Sequence, residues 1–206
     1  MQQPEKYLKD LAEIKQMMQR SSRFVSLSGL SGVLAGAYAL AGAVLAWQVL
    51  QKHNGWNNWQ PVANGQQLFW PLAGIALGVV VLSAITAVYL TNRQQLKKGS
   101  AVWNRQARQL VVNLLVPLVP GGLFALLLLY RGFVGLLAPV TLLFYGLALV
   151  NASKFTDTDI RTLGLMEIAM GLLAALWPGF GLLYWAGGFG LLHIVYGTLM
   201  HFKYRQ

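Results

Sequence analysis

LGLMEIAMGLLAALW, residues 163–177, reads as membrane helix at every position but one, Glu167. A carboxylate placed in hydrocarbon costs roughly 2.5 to 3.5 kcal/mol on insertion scales, so it persists where it is protonated, paired or turned toward a polar cavity. Glu167 is the only acidic residue inside any long apolar run of this chain, which makes it the first functional candidate.

Working outward from that stretch, six apolar runs mark spans at about 25–50, 69–91, 110–130, 133–151, 162–177 and 181–202. Each is close to the roughly 17 to 25 residues that a membrane helix needs. With 206 residues, 56% hydrophobic and 11% charged, the chain has too little polar surface to cover a soluble globule. The expected fold is all-α: a polytopic bundle of six transmembrane helices in three hairpins, preceded by an amphipathic helix. The expected division is a cytoplasmic helix over 1–24, a membrane domain over 25–202 and a short cytoplasmic tail over 203–206.

Lysine and arginine set the expected orientation, because positive segments resist translocation. Fourteen of the sixteen fall in segment 1–24, in the connection between the second and third spans, in that between the fourth and fifth, and in the tail. Only Lys52 and Arg131 lie on the other side. Both termini are therefore expected in the cytoplasm, with the chain in the cytoplasmic membrane. The same distribution accounts for a net charge of +10 without nucleic acid, since the basic residues are spread over four segments and form no binding motif. The partner it implies is the bilayer, whose anionic headgroups attract basic surfaces. A second copy of the chain or another membrane protein are the other candidate partners.

No cysteine is present, which removes disulfides, thiolate metal sites and cysteine nucleophiles. No cleaved signal peptide is expected, because the first apolar run starts after 24 residues and is about twice the length of a signal h-region. Within the N-terminal segment, Tyr7, Leu11, Ile14 and Met18 form an apolar stripe over residues 4–23. This stripe suits a helix lying on the inner membrane surface or a helix that docks a partner.

In the first span Ser28, Gly32 and Gly36 recur at i+4 on one face, a spacing that lets two helix backbones approach closely. In the third, Pro117 and Pro120 each remove a helical hydrogen bond, so a kink or a discontinuous helix is expected there. Such breaks are tolerated in a membrane where neighbouring protein or water satisfies the freed carbonyls. Six of the seven tryptophans, Trp47, Trp56, Trp59, Trp70, Trp177 and Trp185, fall on the outer side and suggest an interfacial belt. TyrGly occurs at 145–146 and again at 196–197, a faint sign of internal repetition.

Alternating the spans across the membrane assigns a depth to each polar residue. Ser31 lies in the inner part of the first span, Asn113 near the inner end of the third and His201 near the inner boundary of the sixth. His193 lies near mid-bilayer. Glu167 stands about five residues, roughly 7 Å of helix, above the start of the fifth span. A tight turn makes the fifth and sixth spans antiparallel neighbours, with Glu167 between the levels of His193 and His201. A cytoplasm-facing polar pocket or proton relay formed by Glu167, His193, His201, Asn113 and Ser31 produces this distribution, and so does a set of ordinary interhelical hydrogen bonds. One Glu and two His are too thin a set for a metal, so neither metal nor cofactor is expected. The leading expectation is a small non-enzymatic membrane protein that binds or moves a small solute or ion. A scaffold docking its partner through the N-terminal helix is the alternative. An intramembrane enzyme lacks a recognisable nucleophile or cofactor constellation.

Overall fold

The computed structural model describes residues 7, 10, 11, 14, 29–52, 62, 65–97, 105–156 and 158–203. Among these there is no strand, and six long helices follow one another. They are α1 (Gly29–Lys52), α2 (Gly65–Lys97), α3 (Arg105–Tyr130), α4 (Leu137–Ala152), α5 (Thr158–Leu176) and α6. The last is one rod in three pieces: α-helix over Gly181–Trp185, π-helix over Ala186–Leu192 and α-helix over His193–Lys203. The chain is an all-α polytopic membrane bundle.

Five of the six rods are long and apolar enough to cross a membrane. The exception is α5, which starts earlier than its apolar run and so carries Asp159, Arg161 and Glu167 on its 19 residues. It is held in the bundle by backbone proximity. A Cβ built at Gly146 of α4 would stand 2.6 Å from the Gly164 carbonyl oxygen of α5, and one at Gly164 would stand 2.8 Å from the Gly146 oxygen. The first turn of α5 is also tied to the end of α6, where Lys203 Nζ donates to both oxygens of Asp159 at 3.2 and 2.9 Å.

Glycine faces also join α1 to α6. A Cβ at Gly36 would lie 2.6 Å from Gly190 O, one at Gly32 would lie 3.2 Å from Gly197 Cα, and one at Gly29 would meet the His201 backbone. Gly32 and Gly36 of the small-residue stripe thus pack inside the bundle, while Ser28 lies outside the described residues. The closest seams, α4 on α5 and α1 on α6, cross between hairpins and lock the three together. Both TyrGly pairs serve these seams, since a Cβ at Gly197 would stand 2.6 Å from Gly29 O.

Between α3 and α4 the chain reverses over residues 131–136, the last three of which form a 3-10 turn, Val134–Leu136. Gly132 has φ 81°, in the left-handed region where glycine carries no Cβ penalty. Its amide reaches Leu129 O at 3.0 Å and the Phe133 amide reaches Leu128 O at 2.9 Å, the two bonds of a Schellman stop.

Of the two forms expected at Pro117 and Pro120, the discontinuous helix is not formed, since α3 runs through both prolines. Pro117 has no amide hydrogen for the carbonyl of Asn113, four residues back. The Asn151 side chain of α4 supplies the missing donor, Nδ2 to Asn113 O, at 2.8 Å. In the N-terminal segment Tyr7, Asp10, Leu11 and Ile14 are helical, and the apolar Tyr7, Leu11 and Ile14 are exposed.

Candidate functional site

Glu167 is wholly buried, and the elements around it explain how it fits. It rises from α5 against the π-helical part of α6, whose sequence AGGFGLL offers three glycines. A Cβ at Gly188 would stand 2.5 Å from Glu167 Oε2 and 2.5 Å from Leu142 Cδ2, so the carboxyl occupies room that only glycine leaves. Single π-turns in helices recur at functional sites because they re-aim side chains without ending the helix.

The carboxyl faces His193. Nδ1 of His193 lies 3.3 Å from Glu167 Oε1 and 3.1 Å from the carbonyl of Gly188. Among the described residues neither Glu167 oxygen has a hydrogen-bond partner, so the contact with His193 is electrostatic, and Nδ1 of the imidazole also faces the Gly188 carbonyl. On the other side of the ring, Nε2 is 2.8 Å from the Tyr145 hydroxyl of α4. Three helices thus supply one polar line, Glu167 to His193 to Tyr145. Phe189 stacks on His193 at 6.1 Å and 19° and lies 4.9 Å from Tyr145, which restrains both rings.

Tyr145 and His193 open onto a cavity of about 810 Å³. Its wall is drawn from α1, α2, α3, α4 and α6, while α5 contributes only Ile160 and Leu163. The volume has a simple cause: α1 presents Ala35, Ala39, Gly42 and Ala46 to it, and facing helices cannot close over side chains that small. Among the described residues no Asp, Glu, Lys or Arg lines the cavity. The wall residues Leu77, Val80 and Ala84 of α2 and Val119, Leu123 and Leu126 of α3 are themselves exposed, so the cavity is a cleft that opens sideways between these two helices.

The five residues expected around a polar pocket separate. His193 and Ser31 lie on the cleft wall. Glu167 stands behind His193 and does not reach the wall. Asn113 turns its side chain back along α3, Nδ2 donating to Gln109 O at 2.8 Å, so its amide is satisfied locally and points to no common site. His201 is half-buried near the end of α6 beside Phe202, away from the Glu167 cluster. The wall is largely apolar where a polar pocket was one expectation; Asn151 and Thr86 bond across helices, and other inner-half polar groups bond within their own. Thr198, for instance, donates to Ile194 O at 2.7 Å. Trp185 likewise lines the cleft 5.0 Å from Phe189 instead of joining the tryptophan rim. Trp47, Trp70 and Trp177 are exposed, and Trp56 and Trp59 lie outside the described residues.

Tyr145, Gly188 and Phe189 complete the cluster and carried little sequence signal. The TyrGly pair at 145 was visible, but its partner His193 lies 48 residues away on a helix of another hairpin. No protein-family model, curated protein or solved structure matches this chain.

Proposed function

We propose that this small integral membrane protein binds or carries a small apolar solute in the cleft enclosed by α1, α2, α3, α4 and α6. One observation carries the reading: a cavity of about 810 Å³ whose wall, among the described residues, holds no Asp, Glu, Lys or Arg. That volume falls within the roughly 300 to 1,000 Å³ of ligand sites, which are mostly apolar with a few placed polar groups. An ion finds no compensating charge on such a wall, so a lipid-soluble molecule takes the place of the solute or ion of the sequence-based expectation. The sideways opening between α2 and α3 supports entry from the bilayer, which spares the ligand a passage through water.

Filling the cleft tests this. Ala35→Phe and Ala84→Phe both place a ring in the wall, and binding of an apolar photoactivatable probe in vesicles should fall about tenfold, equivalent to 1.4 kcal/mol. Unchanged labelling in both variants would sink the reading.

A scaffold role is the second reading, and the exposed stripe favours it: Tyr7, Leu11 and Ile14 are 62%, 61% and 50% exposed. Deleting residues 1–20 should abolish co-purification of a membrane partner while the helical circular dichroism persists. Retained co-purification removes this reading.

A further inference from the structure

We infer that Tyr145 and His193 form the head subsite of the cleft, and that the subsite takes an uncharged apolar chain bearing one hydroxyl, a long-chain or isoprenoid alcohol. This rests on the cleft reading above and adds the chemistry of the ligand.

Position is the first argument. Tyr145 and His193 lie near the middle of their helices, while the cleft wall runs from Gly29 and Met200 at the basic end to Leu50 and Val134 at the other. A polar pair at mid-depth is out of reach of a phospholipid headgroup, which stays at the interface. It is within reach of a weakly polar lipid that dissolves in the hydrocarbon.

Charge is the second. An anionic head would meet no Lys or Arg among the described wall residues, and the Glu167 carboxyl stands 3.3 Å behind His193. A cationic head would have to reach that carboxyl through the imidazole and the ring of Phe189 stacked on it. Desolvating either charge without a partner costs several kcal/mol. The head is therefore neutral.

Hydrogen-bond capacity selects among neutral heads. A tyrosine hydroxyl donates once and accepts at two lone pairs. Its bond to His193 Nε2 uses one of these. When Tyr145 donates to Nε2, it shows the cleft an acceptor only; when Nε2–H donates to Tyr145, it shows the cleft a donor as well. The proton arrangement of His193, set between Glu167 and the Gly188 carbonyl, decides which. A ligand hydroxyl both donates and accepts, so it pairs with Tyr145 in either state. A ketone or ester carbonyl pairs in only one. Glu167 acts in this as a positioning residue, holding the imidazole without touching the ligand.

The test is competition against a diazirine-tagged dodecanol photolabel in vesicles containing the full chain, with dodecanol, dodecane and dodecanoate as competitors. Dodecanol should compete better than dodecane by roughly two- to tenfold, the worth of one neutral hydrogen bond. Tyr145→Phe should abolish that difference while leaving labelling itself in place. A diazirine beside the hydroxyl should mark peptides spanning Thr141–Leu149 or Phe189–Tyr196 of the wild type, a readout that needs no variant. Equal competition by dodecane, a preference that survives Tyr145→Phe, stronger competition by dodecanoate, or head-group labelling confined to the helix ends would each overturn the assignment. Failure of every competitor against the wild type would strike instead at the cleft reading beneath it.

Discussion

Asn151 on α4 donates its side-chain amide to the main-chain carbonyl of Asn113 on α3 at 2.8 Å, the carbonyl that Pro117 leaves without a helical donor. Lys154 Nζ in turn donates to Asn151 Oδ1 at 3.1 Å, which fixes the amide so that its NH₂ faces α3. A proline inside a membrane helix is thus paired with an asparagine on the next helix. The bond satisfies the carbonyl that Pro117 frees within an unbroken α3.

Asn151→Ala should cost about 1 kcal/mol, the penalty for leaving a half-buried acceptor without its donor. Restoring the amide with Pro117→Ala should make the same substitution nearly neutral, a coupling that a double-mutant cycle on thermal unfolding in detergent reads directly. Additive effects would show that the carbonyl finds its partner elsewhere.

Helix seams give a contrast between glycines of the same spacing. Gly36→Val would drive a side chain into Gly190 O and Ile194, whereas at Gly74 and Gly78 of α2 a Cβ meets nothing within 4 Å. Gly36→Val should therefore lower stability by about 1 to 3 kcal/mol or more. Gly78→Val should stay within about 0.5 kcal/mol. Equal melting temperatures for the two variants would contradict the α1 to α6 seam.

Gly188→Ala should destabilise by about 1 to 3 kcal/mol through overpacking against Glu167 Oε2 and Leu142. Combined with Glu167→Ala, which removes one of the two clashing groups, the loss should fall short of the sum by about 0.5 kcal/mol or more. Strict additivity in thermal unfolding would mean that the carboxyl is not seated against Gly188.

The Lys203 to Asp159 pair is a modest tie, because the lysine side chain is 59% exposed. Asp159→Asn should cost at most about 1 kcal/mol, and the difference should vanish at high salt. A loss that persists in 1 M salt would assign Asp159 a different part.

Much of the architecture was legible in one dimension. Apolar run length and the polar breaks between runs reflect transfer free energy residue by residue, which needs no tertiary information, so six helices and a membrane setting follow from them. Pro117 announced a freed carbonyl in the same way, and Gly32 with Gly36 announced a close approach. Asn151 as the answering donor was not legible, because a donor on another helix is named only once that helix is placed beside the first.

The candidate site divides along the same line. Glu167 stands out in sequence because an acid in hydrocarbon is costly wherever its neighbours are. Its neighbours were a matter of assembly. The antiparallel turn put His193 and His201 on the adjoining helix, but the π-helical segment over Ala186–Leu192 and the crossing of α4 brought Tyr145 to His193 and left His201 apart. The cleft is the clearest case of a property held by the tertiary structure alone. Its volume comes from the small side chains of Ala35, Ala39 and Ala46 and the lack of one at Gly42, and such room becomes a cavity only when five helices stand around it. Sequence by itself determined that this protein is a bundle of membrane helices with one expensive carboxyl, because those are sums over single residues. Which groups face one another and where space remains are relations between distant residues, and packing decided them.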